Sequence, residues 1–200
     1  MNALLSGFGL TLSIIFAIGA QNSFILRQGL KKEHVFWICL VCSLSDLLLI
    51  VMGVLGFSVV IQKVPSLMVI IKYLGALFLF AYGLKSFWAA FKSSAMILDD
   101  EKFKTTLGRN ITIALALTWL NPHVYLDTVF LIGSISTQFM GQKLEFTVGA
   151  VAASFVFFFS LGYGASLLRP IFSKPISWKI LDMVIGAFMW VLAVLLVWDI

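Results

Sequence analysis

The chain has 200 residues, 61% of them hydrophobic and only 12% charged, with a net charge of +5 and a mean hydropathy of +1.05. That much apolar surface excludes a water-soluble domain and leaves a polytopic helical membrane protein folded as one compact unit. The basic residues lie between the apolar runs, a placement that argues against nucleic acid as a partner.

A membrane-spanning helix needs about 20 apolar residues. Six runs meet that need: 4–26, 36–60, 66–90, 110–136, 145–168 and 178–198. Barrel strands would be shorter and would alternate in polarity, and these runs do neither. The first run could mimic a secretion signal ending at Ala17-Ile18-Gly19-Ala20, but it lacks a basic leading region and is too long, so it reads as a retained span. Gly19, Gln21 and Asn22 interrupt it. A glycine and two amides favour an irregular helix with exposed carbonyls, and interhelical amide hydrogen bonding is the ordinary alternative. Because of this interruption a five-span arrangement, with the first run outside the bilayer, stays open.

The second run holds Cys39-x-x-Cys42 and Asp46. With no base beside them, the cysteines read as small buried hydrophobes. Asp46 stands ten residues in from Phe36, or ~15 Å deep, near the middle of a hydrocarbon core of ~30 Å. An acid there costs at least ~2.5 kcal/mol on insertion scales, and such residues are mostly functional. Ser43 and Ser45 are the expected hydrogen-bond donors to it. Asp46 is the candidate proton carrier, able to exchange a proton for a cationic substrate. In the third run Lys85 snorkels toward the cytoplasmic end. Lys72 is deeper and reads the same way, with a counter-ion role to Asp46 as the alternative.

The fourth run contains Thr118-Trp119-Leu120-Asn121-Pro122-His123-Val124-Tyr125-Leu126-Asp127. Pro122 has no amide hydrogen for the Thr118 carbonyl, and its ring clashes with that turn. A plain proline kink is tolerated in membrane helices, but Asn121, His123 and Asp127 crowd the same break. His123 and Asp127 are four apart and share a face. That spacing suits a proton relay or a metal, yet one His and one Asp are a weak ligand set, and no metal or cofactor is expected. The later runs carry Gly149-x3-Ala153 and Ser160-x3-Gly164, spacings that allow close helix packing. They make a homodimer conceivable but equally serve internal contacts. Asp182 and Asp199 lie near span ends and receive no role.

Trp37, Trp88, Trp178 and Trp198 mark span ends, as interfacial tryptophans do. Basic residues are dense in the first, third and fifth loops and sparse in the second and fourth, so the dense loops are cytoplasmic and both termini face outward. The one long loop, 93–109, separates a half over 1–92 from a half over 110–200. Three spans per half make the halves run oppositely, the arithmetic of an inverted repeat with broken helices 1 and 4.

The stretches Gly19-Ala20-Gln21-Asn22-Ser23-Phe24-Ile25-Leu26-Arg27-Gln28-Gly29, Ser43-Leu44-Ser45-Asp46-Leu47-Leu48-Leu49-Ile50 and Thr118 to Thr128 together make the chain resemble the LysE family of basic amino-acid exporters over nearly its whole length. The branch exporting homoserine and threonine carries Pro-Gly-Pro near the first motif, where this chain has Gly19-Ala20-Gln21. The resemblance implies export of L-lysine or L-arginine across the bacterial inner membrane, driven by the proton gradient or membrane potential. It implies Gln21, Asn22, Asp46, Asn121, Pro122 and Asp127 as site positions, to which the residue reading adds His123. Alternating access would pass the cargo between the breaks at 19–23 and 121–123, with the amides after Pro122 holding its carboxylate. Two rivals are a divalent-cation exporter using His123, Asp127 and Asp46, and a membrane-embedded enzyme or assembly factor, for which His123 near a serine is the one hint.

Overall fold

Asn2 starts the first helix: its side-chain oxygen accepts the Leu4 amide at 3.1 Å, filling a bond that a helix start lacks. The computed structural model describes residues 2–16, 19–56, 65–92, 105–139, 141–173 and 175–198. Helix α1 (Ala3–Ile15) is followed by α2 (Ala20–Lys31) at 82° to it. Lys32 and His34, both with positive φ, turn the chain into α3 (Val35–Val54). Then come α4 (Pro65–Lys92) and α5 (Leu107–Trp119). A composite α6 runs over 122–136, with α-helical turns Pro122–Val124 and Gly133–Ser136 on either side of a π-helical stretch Tyr125–Ile132. Helices α7 (Lys143–Gly164) and α8 (Pro175–Trp198) complete the described fold.

The protein is therefore an all-α polytopic membrane protein. Among the described residues α3, α4, α7 and α8 are each long and apolar enough to cross a bilayer, and α1 with α2 makes a fifth crossing if the pair is one broken span. The runs 4–26 and 110–136 are not single helices: each is two pieces, the second starting at Ala20 and at Pro122. Alone, the 13 residues of α5 reach only ~20 Å. Residues 57–60 of the second run and 93–104 of the long loop lie outside the described residues.

Packing follows the small residues. Helices α3 and α7 run antiparallel: Cys39 Sγ donates to the Phe158 carbonyl at 3.2 Å and Ser154 reaches Asp46. Helices α4 and α8 are also antiparallel. Gly83 receives the Trp190 ring and Gly186 receives the Phe87 ring, and those two rings meet edge to face at 5.0 Å. Each broken pair packs against a continuous helix near both of its ends. The first starts where Gly149 touches the Leu4 backbone and ends where Gly29 touches the Gly162 backbone, both on α7. The second accompanies α3 through contacts of Asn110 with His34, Trp119 with Ser45, and Gly133 with Gly53. Gly149 thus serves close packing as its spacing suggests, whereas Gly164 has open space beside it.

The main core joins Ala20, Phe24, Cys39, Cys42, Leu117 and Phe158 from α2, α3, α5 and α7. Leu77, Leu84, Val184 and Val191 on α4 and α8 point outward, as lipid-facing side chains do. Trp37, Trp88 and Trp198 are exposed, as expected at interfaces, but Trp178 is 2% exposed. Its indole donates to the Phe172 carbonyl at 2.8 Å, so it locks the turn before α8 and does not float at the membrane surface.

Candidate functional site

Each helix break leaves an unpaired carbonyl, and in lipid such a group must be satisfied within the protein. At the first break Asn22 Nδ2 donates to the Ile15 carbonyl at 2.8 Å. At the second, the Tyr125 hydroxyl donates to the Trp119 carbonyl at 2.9 Å. In both cases a residue of the following helix secures the end of the preceding one. The Thr118 carbonyl, which Pro122 cannot serve, receives the Asn121 amide instead at 3.4 Å. Gly75 of α4 lies against the Leu120 carbonyl, where a Cβ would collide. The breaks are built features, and the carbonyls that end the preceding helices, at Ile15 and Trp119, are already occupied.

The amides after Pro122 are engaged as well. Asn121 Oδ1 accepts from the His123 amide at 3.1 Å, and the Val124 amide donates to the Asn121 carbonyl at 3.1 Å. Asn121 and Pro122 therefore shape the break: Asn121 caps α6, and buried Pro122 occupies its first position, where a missing amide hydrogen is harmless. The start of α2 differs, because Gly19 gives it no side-chain cap.

Asp46 is 3% exposed, and its Oδ2 accepts the Ser154 hydroxyl at 3.0 Å. Among the described residues no basic side chain stands within ion-pair distance of it. Ser43 and Ser45, the expected donors, do something else: Ser43 Oγ is buried without a partner, and Ser45 Oγ accepts the Trp119 indole at 3.2 Å. Gln21 lies against the Cys42 thiol, one turn along α3 from Asp46, and its Nε2 is buried with no partner. Both breaks thus meet α3 around Asp46, the first through Gln21 and the second through Trp119.

His123 and Asp127 do share a face. Asp127 lies within electrostatic reach of His123, but His123 is exposed and Asp127 half-buried, while Tyr125, Thr128 and Val129 take the buried side. Among the described residues no contact joins Asp127 to Asp46, and no three His, Cys, Asp or Glu side chains are grouped to hold a metal ion. Two features of the structure escaped the sequence reading. Ser154 looked like one more small residue in an apolar run, and Asp182, left without a role, forms an ion pair with Arg27. An acid and a base near the ends of different runs were the available signal for the latter.

Comparison with known proteins adds the lineage. The profile of the LysE type translocator matches residues 12–199. An arginine exporter protein ArgO of Serratia proteamaculans is 36% identical over 98% of this chain and 96% of its own length. The protein of that name from Salmonella enteritidis is 37% identical over 94% of this chain and 89% of its own. The one from Escherichia coli O157:H7 is 36% identical over 96% and 92%. No solved structure matches the chain.

Proposed function

Because the chain belongs to the LysE translocator family, we propose that it exports basic L-amino acids, L-arginine foremost and L-lysine with it, from the cytoplasm across the bacterial inner membrane. The observation that carries this is Asp46: a carboxylate buried at mid-span, satisfied by a neutral hydroxyl and faced by no basic side chain among the described residues. A buried charge needs a partner, and a cationic cargo or a proton supplies one. Gln21, with an unpartnered buried amide nitrogen, sits at the start of α2, where the helix dipole and uncapped amides favour an anion. We place the cargo carboxylate there and its cationic end at Asp46. Asn22, Asn121 and Pro122 hold the two breaks in shape. Asp127 with His123 forms an outer acidic position.

The same reading takes the chain as six spans in two inverted halves, 1–92 and 110–200, joined by 93–109, with alternating access between them. The packing supports it. Exchanging the halves maps α3 against α7 onto itself, and α4 against α8 onto itself, with the Gly83/Trp190 contact becoming Gly186/Phe87. It also maps the crossing of Gly29 and Gly162 onto that of Gly133 and Gly53. Each broken pair touches a full-length span near both of its ends, which supports counting both as crossings. Dense basic loops then face the cytoplasm and both termini the outside. Proton exchange at Asp46 is the proposed coupling, and a homodimer through outward apolar faces is compatible with it.

The test is efflux of labelled L-arginine, L-lysine and L-threonine from proteoliposomes with and without a pH gradient. Arginine or lysine movement that the gradient accelerates is expected. Threonine movement alone, or transport of divalent cations without either basic amino acid, overturns the assignment.

A further inference from the structure

Helices α2 and α8 are tied by a second buried acid. Arg27 Nη1 lies 3.0 Å from Asp182 Oδ1, with the two side chains 13% and 5% exposed. The pair is imperfect, because Asp182 Oδ1 accepts no hydrogen bond despite that distance, so the guanidinium fork does not hold the carboxylate in the strong two-bond arrangement. Tyr82 of α4 stands beside both charges, and Lys85 lies 5.9 Å over its ring. Lys31 is within electrostatic reach of Arg27 and Asp182, and Lys85 within reach of Arg27, Lys31 and Arg109. Arg27 and Lys31 therefore both face the buried Asp182, with Lys85 beside Arg27 and Lys31 and Glu33 beside Lys31. A buried pair of this quality is a weak stabiliser and a good point of exchange.

A polar stripe leads from this pair toward Asp46. Gln21, Phe24 and Gln28 share one face of α2. Gln28 Oε1 and Gln21 Nε2 are both buried with no hydrogen-bond partner, and the Phe24 ring meets Tyr82 edge to face at 6.4 Å. The seven helical steps from Gln21 to Gln28 cover ~10 Å along the helix. Gln21 in turn reaches Cys42, next to Asp46.

We propose that Asp182 is a second, cytoplasm-side binding position for the cationic head of the cargo, held in this state by the Arg27 guanidinium, which the cargo displaces. The proposal rests on the reading of the chain as a basic amino-acid exporter. A guanidinium cargo is a chemical copy of the group it replaces, so the exchange buries no additional charge. Gln28 Oε1 offers an acceptor to guanidinium donors that the carboxylate leaves free. Arg27, once released, no longer ties α2 to α8, and the stripe past Gln28 opens toward Gln21 and Asp46.

The experiment measures half-saturating L-arginine for export from proteoliposomes, together with calorimetric L-arginine binding in detergent, for wild type, Arg27→Gln, Asp182→Asn and the swap Arg27→Asp with Asp182→Arg. Asp182→Asn should raise the half-saturating concentration about tenfold, the scale of one charge-assisted contact. Arg27→Gln should lower it about threefold, because the internal competitor is gone. The swap keeps an ion pair but moves the acid to the wrong helix, so it should elute as folded protein and still bind arginine as weakly as Asp182→Asn. If the swap instead restores wild-type binding, or if every folded variant keeps the wild-type half-saturation, the pair is only a structural tie and the proposal is wrong. If wild type itself moves neither arginine nor lysine, the export reading fails first and this proposal falls with it.

Discussion

Replacing Asp46 by Asn separates its charge from its shape. Asn has the same size, and its side-chain oxygen can still accept the Ser154 hydroxyl across the present 3.0 Å, so the packing of α3 on α7 should survive. What disappears is the anion. Removing one partner of a buried ion pair is worth about 3–5 kcal/mol, which at ~1.4 kcal/mol per decade is a loss of roughly two to three and a half decades in export rate. The assay is the initial rate of labelled L-arginine efflux from proteoliposomes, normalised to folded protein measured by size-exclusion chromatography. Asp46→Ala is the contrast. It leaves the Ser154 hydroxyl, fully buried, without its acceptor, which adds about 1–3 kcal/mol of destabilisation. The Asn variant should therefore be folded and inactive, and the Ala variant both inactive and scarce. An Asn variant exporting at the wild-type rate would refute the assignment, as would one whose loss of export only tracks a loss of folded protein.

Gly29→Ala should lower Tm by several degrees, because the new Cβ would meet the Gly162 carbonyl and come within 2.7 Å of Ala165 Cβ, an overpacking of about 1–3 kcal/mol; Gly9→Ala, inside α1 with open space around it, is the control and should leave Tm unchanged or slightly raised, since Ala favours a helix over Gly. Asn121→Ala removes the cap on the His123 amide and should reduce thermal stability by about 1 kcal/mol, read as a smaller Tm shift than that of Gly29→Ala. Tyr125→Phe leaves the Trp119 carbonyl without its donor at a cost of about 1–3 kcal/mol. Because it loosens the second break, its export should fall further than its folded yield, and parallel declines in the two would argue against a role for that break in transport.

The helix breaks were legible because their causes are local. Pro122 lacks an amide hydrogen wherever it sits, and Gly19 with two amides favours irregular backbone in any fold. The depth of Asp46 followed from counting residues in its run. Its hydrogen-bond donor did not: Ser43 and Ser45 are close in sequence, but Ser154, 108 residues away, holds the carboxylate. On a helix a neighbouring serine can reach an acid only if both face the same gap, and here Ser45 turns to the Trp119 indole. The spacing of His123 and Asp127 correctly places them on one face. Which way that face turns depends on the packing of Tyr125, Thr128 and Val129 inward, and the spacing carries no information about that. Likewise, proximity to a span end suggested nothing about Asp182, because only the docking of α8 beside α2 brings it to Arg27.

Composition and the periodicity of apolar runs thus determined by themselves that the chain is an all-helical membrane protein, where its helices break and that an acid lies at mid-span. These are consequences of the bilayer as solvent, which acts on each segment independently. The tertiary structure decided which side chains fill the orphan carbonyls at the breaks, that Ser154 holds Asp46 while Gln21 reaches Cys42, and that a second acid is paired at the basic end. Those outcomes depend on how one helix is rotated and shifted against another. Glycines at the crossings set that relation, through contacts between segments far apart in the chain.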